Sequence, residues 1–133
     1  MPSQVELRKI IVTTADNVAV AGVGVPGWSK SFDLQNFRQM GAEIKLASSG
    51  SVNVRVDLEQ SNTELTAAQE GLTHADWVVP DDASPVMTVI DQNLHLAGMP
   101  AAVSRYGRFK FTGLTGNHAS TVANRANVAV AQV

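Results

Sequence analysis

The chain contains no cysteine, which excludes thiol catalysis, thiolate zinc sites and disulfide scaffolds. Charged residues are also scarce: they make up 17% of the 133 residues, against about a quarter in ordinary soluble domains. The 10 Lys and Arg are outnumbered by 12 Asp and Glu, and the net charge is -2. Without a basic excess to neutralise phosphates, we expect no nucleic-acid partner.

Long apolar runs are missing as well. No window approaches the roughly 18 uninterrupted apolar residues that cross a bilayer. The first residues, MPSQVELRKIIVTT, carry charges inside their apolar part, which is not typical of a secretory signal. We therefore expect no membrane partner. The length of the chain predicts a single domain over residues 1–133.

What the chain does contain is a rhythm of short alternating segments. In SVNVRVDLEQ, apolar and polar residues alternate from Val52 to Leu58, which is typical of a strand with one face in water. The segment AEIKLA, residues 42–47, alternates in the same way. Because Ser48-Ser49-Gly50 between them suits a tight turn, the two segments predict a β-hairpin.

The same pattern predicts the fold class. Further strands are predicted at residues 5–13, 18–25, 85–90, 94–96, 104–113 and 126–133. Two short helical turns are predicted in SFDLQNFRQMG, residues 31–41, and TELTAAQEG, residues 63–71, each ending at a glycine. Seven or eight short strands separated by turns favour a mainly all-β fold, an antiparallel β-sandwich or jelly-roll-like domain.

The segment AGVGVPGW, residues 21–28, matches the dinucleotide pattern G-x-G-x-x-G. Pro26 has no N–H to offer a phosphate, and the alternating strands that follow do not suit a parallel sheet covered on both faces. The favoured interpretation is structural. The first two glycines relax a strand, Pro26 and Gly27 form a turn, and Trp28 lies at the edge of the sandwich.

No catalytic or metal-binding pattern stands out. The three histidines are His74, His95 and His118. They are not in a metal-ligand spacing, and the loop containing Asp76, Asp81 and Asp82 lacks the calcium pattern D-x-D-x-D-G. We expect no cofactor, no metal ion, no catalytic residue and no enzymatic activity. A small hydrolase or isomerase in a barrel mouth remains an alternative for which no residues can be named.

Five residues are candidate partner contacts: Trp28, Trp77, Tyr106, Arg105 and Arg108. Each tryptophan lies near a turn, where an exposed ring stacks on a sugar or anchors a protein interface. The segment RYGRFKF interleaves basic and aromatic residues, as single-strand nucleic-acid binders do, but its order departs from their RNP1 pattern. The alternative function is a carbohydrate-binding sandwich that uses the tryptophans or Tyr106.

A small, cysteine-free chain of many short strands, rich in Ala, Val, Thr and Asn, resembles the β-sandwich cement or decoration proteins of tailed-bacteriophage capsids. The resemblance covers the whole chain in composition and strand rhythm and includes no specific motif. It implies a virion structural protein that is made in the host cytoplasm and binds the capsid surface, commonly as a homotrimer. Its partner would be the major capsid protein or, less expected, a tail protein.

The resemblance also suggests a means of attachment. Strands at residues 5–13 and 127–133 are expected to offer free backbone groups to a neighbouring subunit by β-augmentation.

Overall fold

The computed structural model describes residues 6–10, 18–20, 22–34, 39–49, 52–91, 93–116, 118 and 121–132. These residues form strands and turns and no helix, and all pairings between named strands are antiparallel. In this part of the chain there is accordingly no helix with the length and apolarity to cross a membrane. The predicted all-β antiparallel fold class is confirmed.

Ten strands follow one another along the chain. They are β1 (Glu6–Ile10), β2 (Val18–Ala19), β3 (Pro26–Trp28), β4 (Phe32–Asp33), β5 (Gln39–Ala47), β6 (Asn53–Ser61), β7 (Met87–Ile90), β8 (His95–Gly98), β9 (Tyr106–Thr115) and β10 (Val122–Gln132).

The strands form two five-stranded sheets. The first has the order β1-β10-β5-β8, with β2 also paired to β10, and the second has the order β3-β9-β6-β7, with β4 also paired to β9. The chain changes sheet six times, and it stays in one sheet only from β1 to β2, from β3 to β4 and from β6 to β7. This strand order is that of a jelly roll.

The core lies between the two sheets. The first sheet contributes Ile44 and Leu46 from β5, and the second contributes alternate residues of β6 and β9. Phe109 and Phe111 of β9 are fully buried and tilted against each other, with ring centroids 6.2 Å apart. Because successive residues of a strand point to opposite faces, the outward residues of the same strands are polar.

The predicted hairpin between residues 42 and 60 is wrong, although both of its strands exist. β5 lies between β10 and β8, whereas β6 lies between β9 and β7 in the other sheet. The apolar faces of the two strands therefore meet across the core. Alternation specifies which face a strand buries, but it does not specify the strand with which it pairs.

The two predicted helical turns are not present among the described residues. In the first stretch, Phe32–Asp33 form β4 and residues 39–41 belong to β5, while its central residues 35–38 lie outside the described residues. In the second, the Thr66 carbonyl accepts hydrogen bonds from the N–H groups of Gln69 (3.0 Å) and Glu70 (3.2 Å). This single turn does not continue, since a short helix gains too few hydrogen bonds to offset the cost of nucleation.

The sequence predicts a turn at Pro26–Gly27, but the chain turns earlier, at residues 22–25. The Val25 N–H donates to the Gly22 carbonyl (3.2 Å), and Gly24 has a φ of 75°, where side chains are disfavoured. Pro26–Trp28 instead form β3, where proline is tolerated because the strand ends its sheet. The Gly24 N–H donates to the Gly113 carbonyl (2.8 Å), so the protein itself uses this backbone donor.

The C-terminal strand β10 is an inner strand of its sheet. It pairs with β1 and β2 on one side and with β5 on the other. The expectation that residues 127–132 offer free backbone groups is therefore wrong, and residue 133 lies outside the described residues. β1 and β8 end the first sheet, although residues 5 and 11–13 of the predicted first strand also lie outside the described residues.

Candidate functional site

The strand register gathers charged residues on the face of the second sheet that points away from the core. Glu59 of β6 lies opposite Arg108 of β9, and Asp57 lies opposite Lys110. Trp28 of β3 also pairs with Lys110 and so shares this face. These residues are far apart in the sequence, and only the pairing of three strands brings them together.

Arg108 lies between the two tryptophans of the chain. Its guanidinium carbon is 4.8 Å from the ring centroid of Trp28 and 5.2 Å from that of Trp77. Its Nε donates to Glu59 Oε1 (2.8 Å), and the Trp28 Nε1 donates to Glu59 Oε2 (3.1 Å). We name Trp28, Glu59, Trp77 and Arg108 the Trp-Arg cluster.

This cluster is covered although it lies on the outward face of the sheet. Arg108 is 0% exposed, Trp77 4% and Glu59 5%. The cover is the segment that follows β6, in which the Trp77 Nε1 donates to the Thr63 carbonyl (3.0 Å). Since a buried ion is costly unless it is paired, Arg108 and Glu59 can lie under this segment because they pair with each other.

The aromatic rings compensate for incomplete hydrogen bonding of the guanidinium. Arg108 Nη2 lies 2.6 Å from Glu59 Oε1 but in an ion-pair contact without hydrogen-bond geometry, and Nη1 has no hydrogen-bond partner among the described residues. Both ring faces attract a cation, most strongly where water is excluded. Arg108, Glu59 and Trp77 are therefore a buried structural unit, with the partly exposed Trp28 at its edge.

The five predicted partner residues separate into two groups. Trp77 and Arg108 are buried and do not present their side chains to a partner, whereas Trp28 is partly exposed. Arg105 and Tyr106 lie together at the start of β9, with the guanidinium carbon of Arg105 5.1 Å from the Tyr106 ring centroid. Trp28, Arg105 and Tyr106 therefore remain candidate contacts.

Glu59 is the member of the Trp-Arg cluster that the sequence analysis did not predict. Its position in the alternating segment predicts a solvent-facing residue, and its partner lies 49 residues further along the chain. An acidic residue on one strand and a basic one on another suggest a pair only when the register of the two strands is known.

A second feature is a groove beside the end of β6. It consists of two adjoining clefts of about 350 and 480 Å³, which share Pro80, Asp81 and Val103. Residues 76–84 form one wall and residues 100–104 form the other. We name this feature the Asp groove, because the charged residues among those lining it are Asp76, Asp81 and Asp82.

Gln60, which is 2% exposed, holds both walls of the Asp groove. Its backbone exchanges hydrogen bonds with Val78 in one wall (2.8 and 3.1 Å). Its side-chain Nε2 donates to the Ala101 carbonyl (3.1 Å), and its Oε1 accepts from the Val103 N–H (2.8 Å) and the Ser104 hydroxyl (3.3 Å) in the other wall. The groove is thus formed before anything binds in it.

Replacing Gln60 by leucine is expected to loosen the wall at residues 100–104. The substitution leaves the Ala101 carbonyl and the Val103 N–H without their protein partner, and an ordinary intramolecular hydrogen bond contributes about 0.5–1.5 kcal/mol. Hydrogen exchange measured by NMR should show faster exchange of the Val103 amide. Ser104→Ala removes the hydroxyl that contacts Gln60 Oε1 and the Tyr106 carbonyl but leaves the hydrogen bonds of Gln60 to Ala101 and Val103, so it serves as control. Unchanged Val103 exchange in the leucine variant would contradict this role of Gln60.

The three aspartates of the Asp groove do not converge on one point. Within the described residues, no group of three or more His, Asp or Glu side chains is placed to hold a metal ion. The Pro80 carbonyl accepts a hydrogen bond from the Ala83 N–H (3.0 Å), which closes a turn with Asp81 and Asp82 exposed at its tip. The carboxylates are therefore spread along the groove.

Asp91, directly after β7, has a lowered pKa. The main cause is the hydrogen bond that it accepts from the Asn93 N–H (2.9 Å), and the second is the contact with His95 Nε2 (2.9 Å). Both partners favour the charged carboxylate. The associated stabilisation is present above the unfolded pKa of Asp91 and is lost as the pH falls through the lower folded pKa.

Replacing His95 by alanine should raise the pKa of Asp91 towards its ordinary value, because one of the two interactions that favour the carboxylate is removed. The carboxyl ¹³C shift of Asp91, followed by NMR across acidic pH, measures this change. His74→Ala is the control, since His74 contacts the Asp76 N–H and not Asp91. A titration curve that is identical in all three proteins would contradict the assignment.

No family model matches the chain, and comparisons with curated proteins and with solved structures find no match either. The geometry of the described residues is therefore the basis for assigning a function.

Proposed function

We propose that the protein is a non-enzymatic virion structural protein that decorates and stabilises a phage capsid, acting as a homo-oligomer, with a trimer favoured. The observation that carries the proposal is the jelly-roll order of the two antiparallel sheets. Viral capsid domains use this architecture. Its location would be the outer surface of the virion.

The edge of the first sheet supports attachment through strand pairing. β8 ends this sheet, and it pairs with β5 on one side. Leu96 of β8 is 73% exposed and Leu94 just before it is 47% exposed. An edge strand with exposed leucines offers both backbone hydrogen bonds and apolar contact to a neighbouring subunit.

Repetition on a shell would strengthen such contacts. A single β8 edge, four residues long, supplies few hydrogen bonds. When several copies in one oligomer bind a symmetric shell, the later contacts form at high effective concentration, so weak single contacts give stable attachment.

The carbohydrate-binding alternative shares the fold, since lectin domains also use jelly rolls. It has fewer stacking surfaces than the sequence predicted. Trp77 is buried, and the ring of Tyr106 lies under the Arg105 guanidinium. Trp28 is partly exposed and is the remaining tryptophan for a sugar. Unchanged tryptophan fluorescence across a panel of sugars would remove this alternative.

Sedimentation of particles from cells that produce the protein tests the proposal. We expect the protein to sediment with assembled shells, and the purified protein to have the solution mass of a trimer. Leu96→Lys should weaken shell binding without unfolding the chain, whereas Leu72→Lys, at a comparably exposed leucine, should not. A monomer at all concentrations that never sediments with particles would overturn the proposal.

A further inference from the structure

We infer that the Asp groove binds an extended segment of a partner protein in which lysines or arginines are separated by apolar residues. The groove combines two features that select such a segment. Its charged lining residues are all aspartates, and its exposed apolar residues include Val78 (57% exposed) and Val103 (67%). A peptide with alternating basic and apolar side chains complements both features.

The spacing of the carboxylates favours a chain with several charges over a single ion. No group of three acidic or histidine side chains in the described part of the protein can hold a metal ion, so Asp76, Asp81 and Asp82 do not act on one cation. Lysines or arginines spaced along a flexible segment can each contact a different carboxylate of the Asp groove. Each such contact is weak at the surface, so affinity comes from their number and from the apolar contacts.

The rigidity of the groove makes this contact favourable. Gln60 joins the two walls through its backbone and its side chain, and Pro80 and Pro100 restrict the backbone within them. A preformed groove does not lose loop entropy when a ligand binds. The conformational entropy lost on binding is therefore that of the bound segment alone.

The groove is separate from the β8 edge that the proposed function uses. Its walls are residues 76–84 and 100–104, and the residues that line it do not include β8. The inference therefore does not depend on attachment to a capsid, since the same chemistry selects such a segment on any partner protein.

The probe is the synthetic peptide GVKPVKPVKG, with GVEPVEPVEG as its acidic counterpart. Methyl NMR shifts of Val78 and Val103 report binding in the groove. The lysine peptide should shift both valines in a saturable way, and raising the salt from 50 to 500 mM should weaken binding by about tenfold, because exposed ion pairs are screened. The acidic peptide should bind at least about tenfold more weakly.

The variant D76N/D81N/D82N should lower the affinity for the lysine peptide by about tenfold, since each exposed pair contributes a factor of a few. The control variant D33N/E43Q/E64Q removes the same charge outside the groove and should bind normally.

Equal binding of the two peptides, no shift at millimolar lysine peptide, or equal loss in both triple variants would overturn the inference. Shifts of Val78 and Val103 on adding calcium alone would replace it with a cation site, and shifts on raising the protein concentration alone would replace it with a second copy of this chain.

Discussion

Replacing Arg108 by leucine is expected to lower the free energy of unfolding by about 3–5 kcal/mol, the usual cost of removing one partner of a buried ion pair. Arg108 is 0% exposed, and Glu59, its partner at 2.8 Å, is 5% exposed. Without the guanidinium, the one hydrogen bond left to the Glu59 carboxylate among the described residues is that from Trp28 Nε1 at 3.1 Å. Glu59 then either stays charged with too few partners or takes up a proton, and both outcomes favour the unfolded chain.

A double variant separates the charge effect from the packing effect. In E59L/R108L neither charge of the buried Glu59–Arg108 pair remains, and apolar replacement of a buried ion pair is often neutral or stabilising. We therefore expect the double variant to regain most of the stability lost in Arg108→Leu. Chemical denaturation followed by tryptophan fluorescence measures both, because the Trp28 and Trp77 rings contact Arg108 in the folded protein.

The matched control is Arg105→Leu, the same substitution three positions earlier in the chain. Arg105 lies 3.8 Å from Asp33, and both side chains are about half exposed. Exposed pairs of this kind contribute about 1 kcal/mol or less. If Arg108→Leu proved as mild as the control, Arg108 and Glu59 would not be the buried pair that the geometry indicates.

Replacing Gly27 by alanine is the second change with a large expected effect. A Cβ at this position would lie 2.4 Å from the Ala19 carbonyl oxygen and 3.3 Å from Val18 Cγ1. The closer atom belongs to the backbone of β2, which cannot rotate away as a side chain can. We expect a loss of about 1–3 kcal/mol, the range for forcing extra atoms into a packed site.

Gly98→Ala is the matched control for this steric argument. Gly98 also lies in a strand, β8, and a Cβ there meets no heavy atom within 4 Å. The control should leave the midpoint of thermal unfolding nearly unchanged, whereas Gly27→Ala should lower it. Equal midpoints for the two variants would mean that β2 and β3 separate readily, contrary to their close approach in the structure.

The Arg108 and Gly27 predictions test two contacts that join the second sheet to other parts of the chain. The Trp-Arg cluster attaches the segment after β6 to the outward face of this sheet, and Val78 and Gln60 continue that attachment by backbone hydrogen bonds. The contact at Gly27 brings β2, which pairs with β10 of the first sheet, against β3 of the second. Loss of either is expected to disturb the surfaces on which partner binding would depend.

The sequence by itself determined where several strands lie and which faces they bury. Alternation from Val52 to Leu58 predicted β6, and Val54, Val56 and Leu58 are indeed buried. The strands predicted at residues 85–90 and 94–96 correspond to β7 and β8, whose observed bounds differ from the predicted ones by a few residues. Alternation is a local property with a period of two, and burial of one face follows from it directly.

The tertiary structure alone decided which strands are neighbours and what covers them. β5 and β6 follow one another in the chain, yet they lie in different sheets, and their apolar faces meet across the core. Trp77 and Arg108 were predicted partner contacts, but Arg108 is paired with Glu59 by the register of β6 and β9, and Trp77 covers it. Pairing and covering depend on contacts between residues far apart in the chain, and no short sequence pattern specifies those contacts.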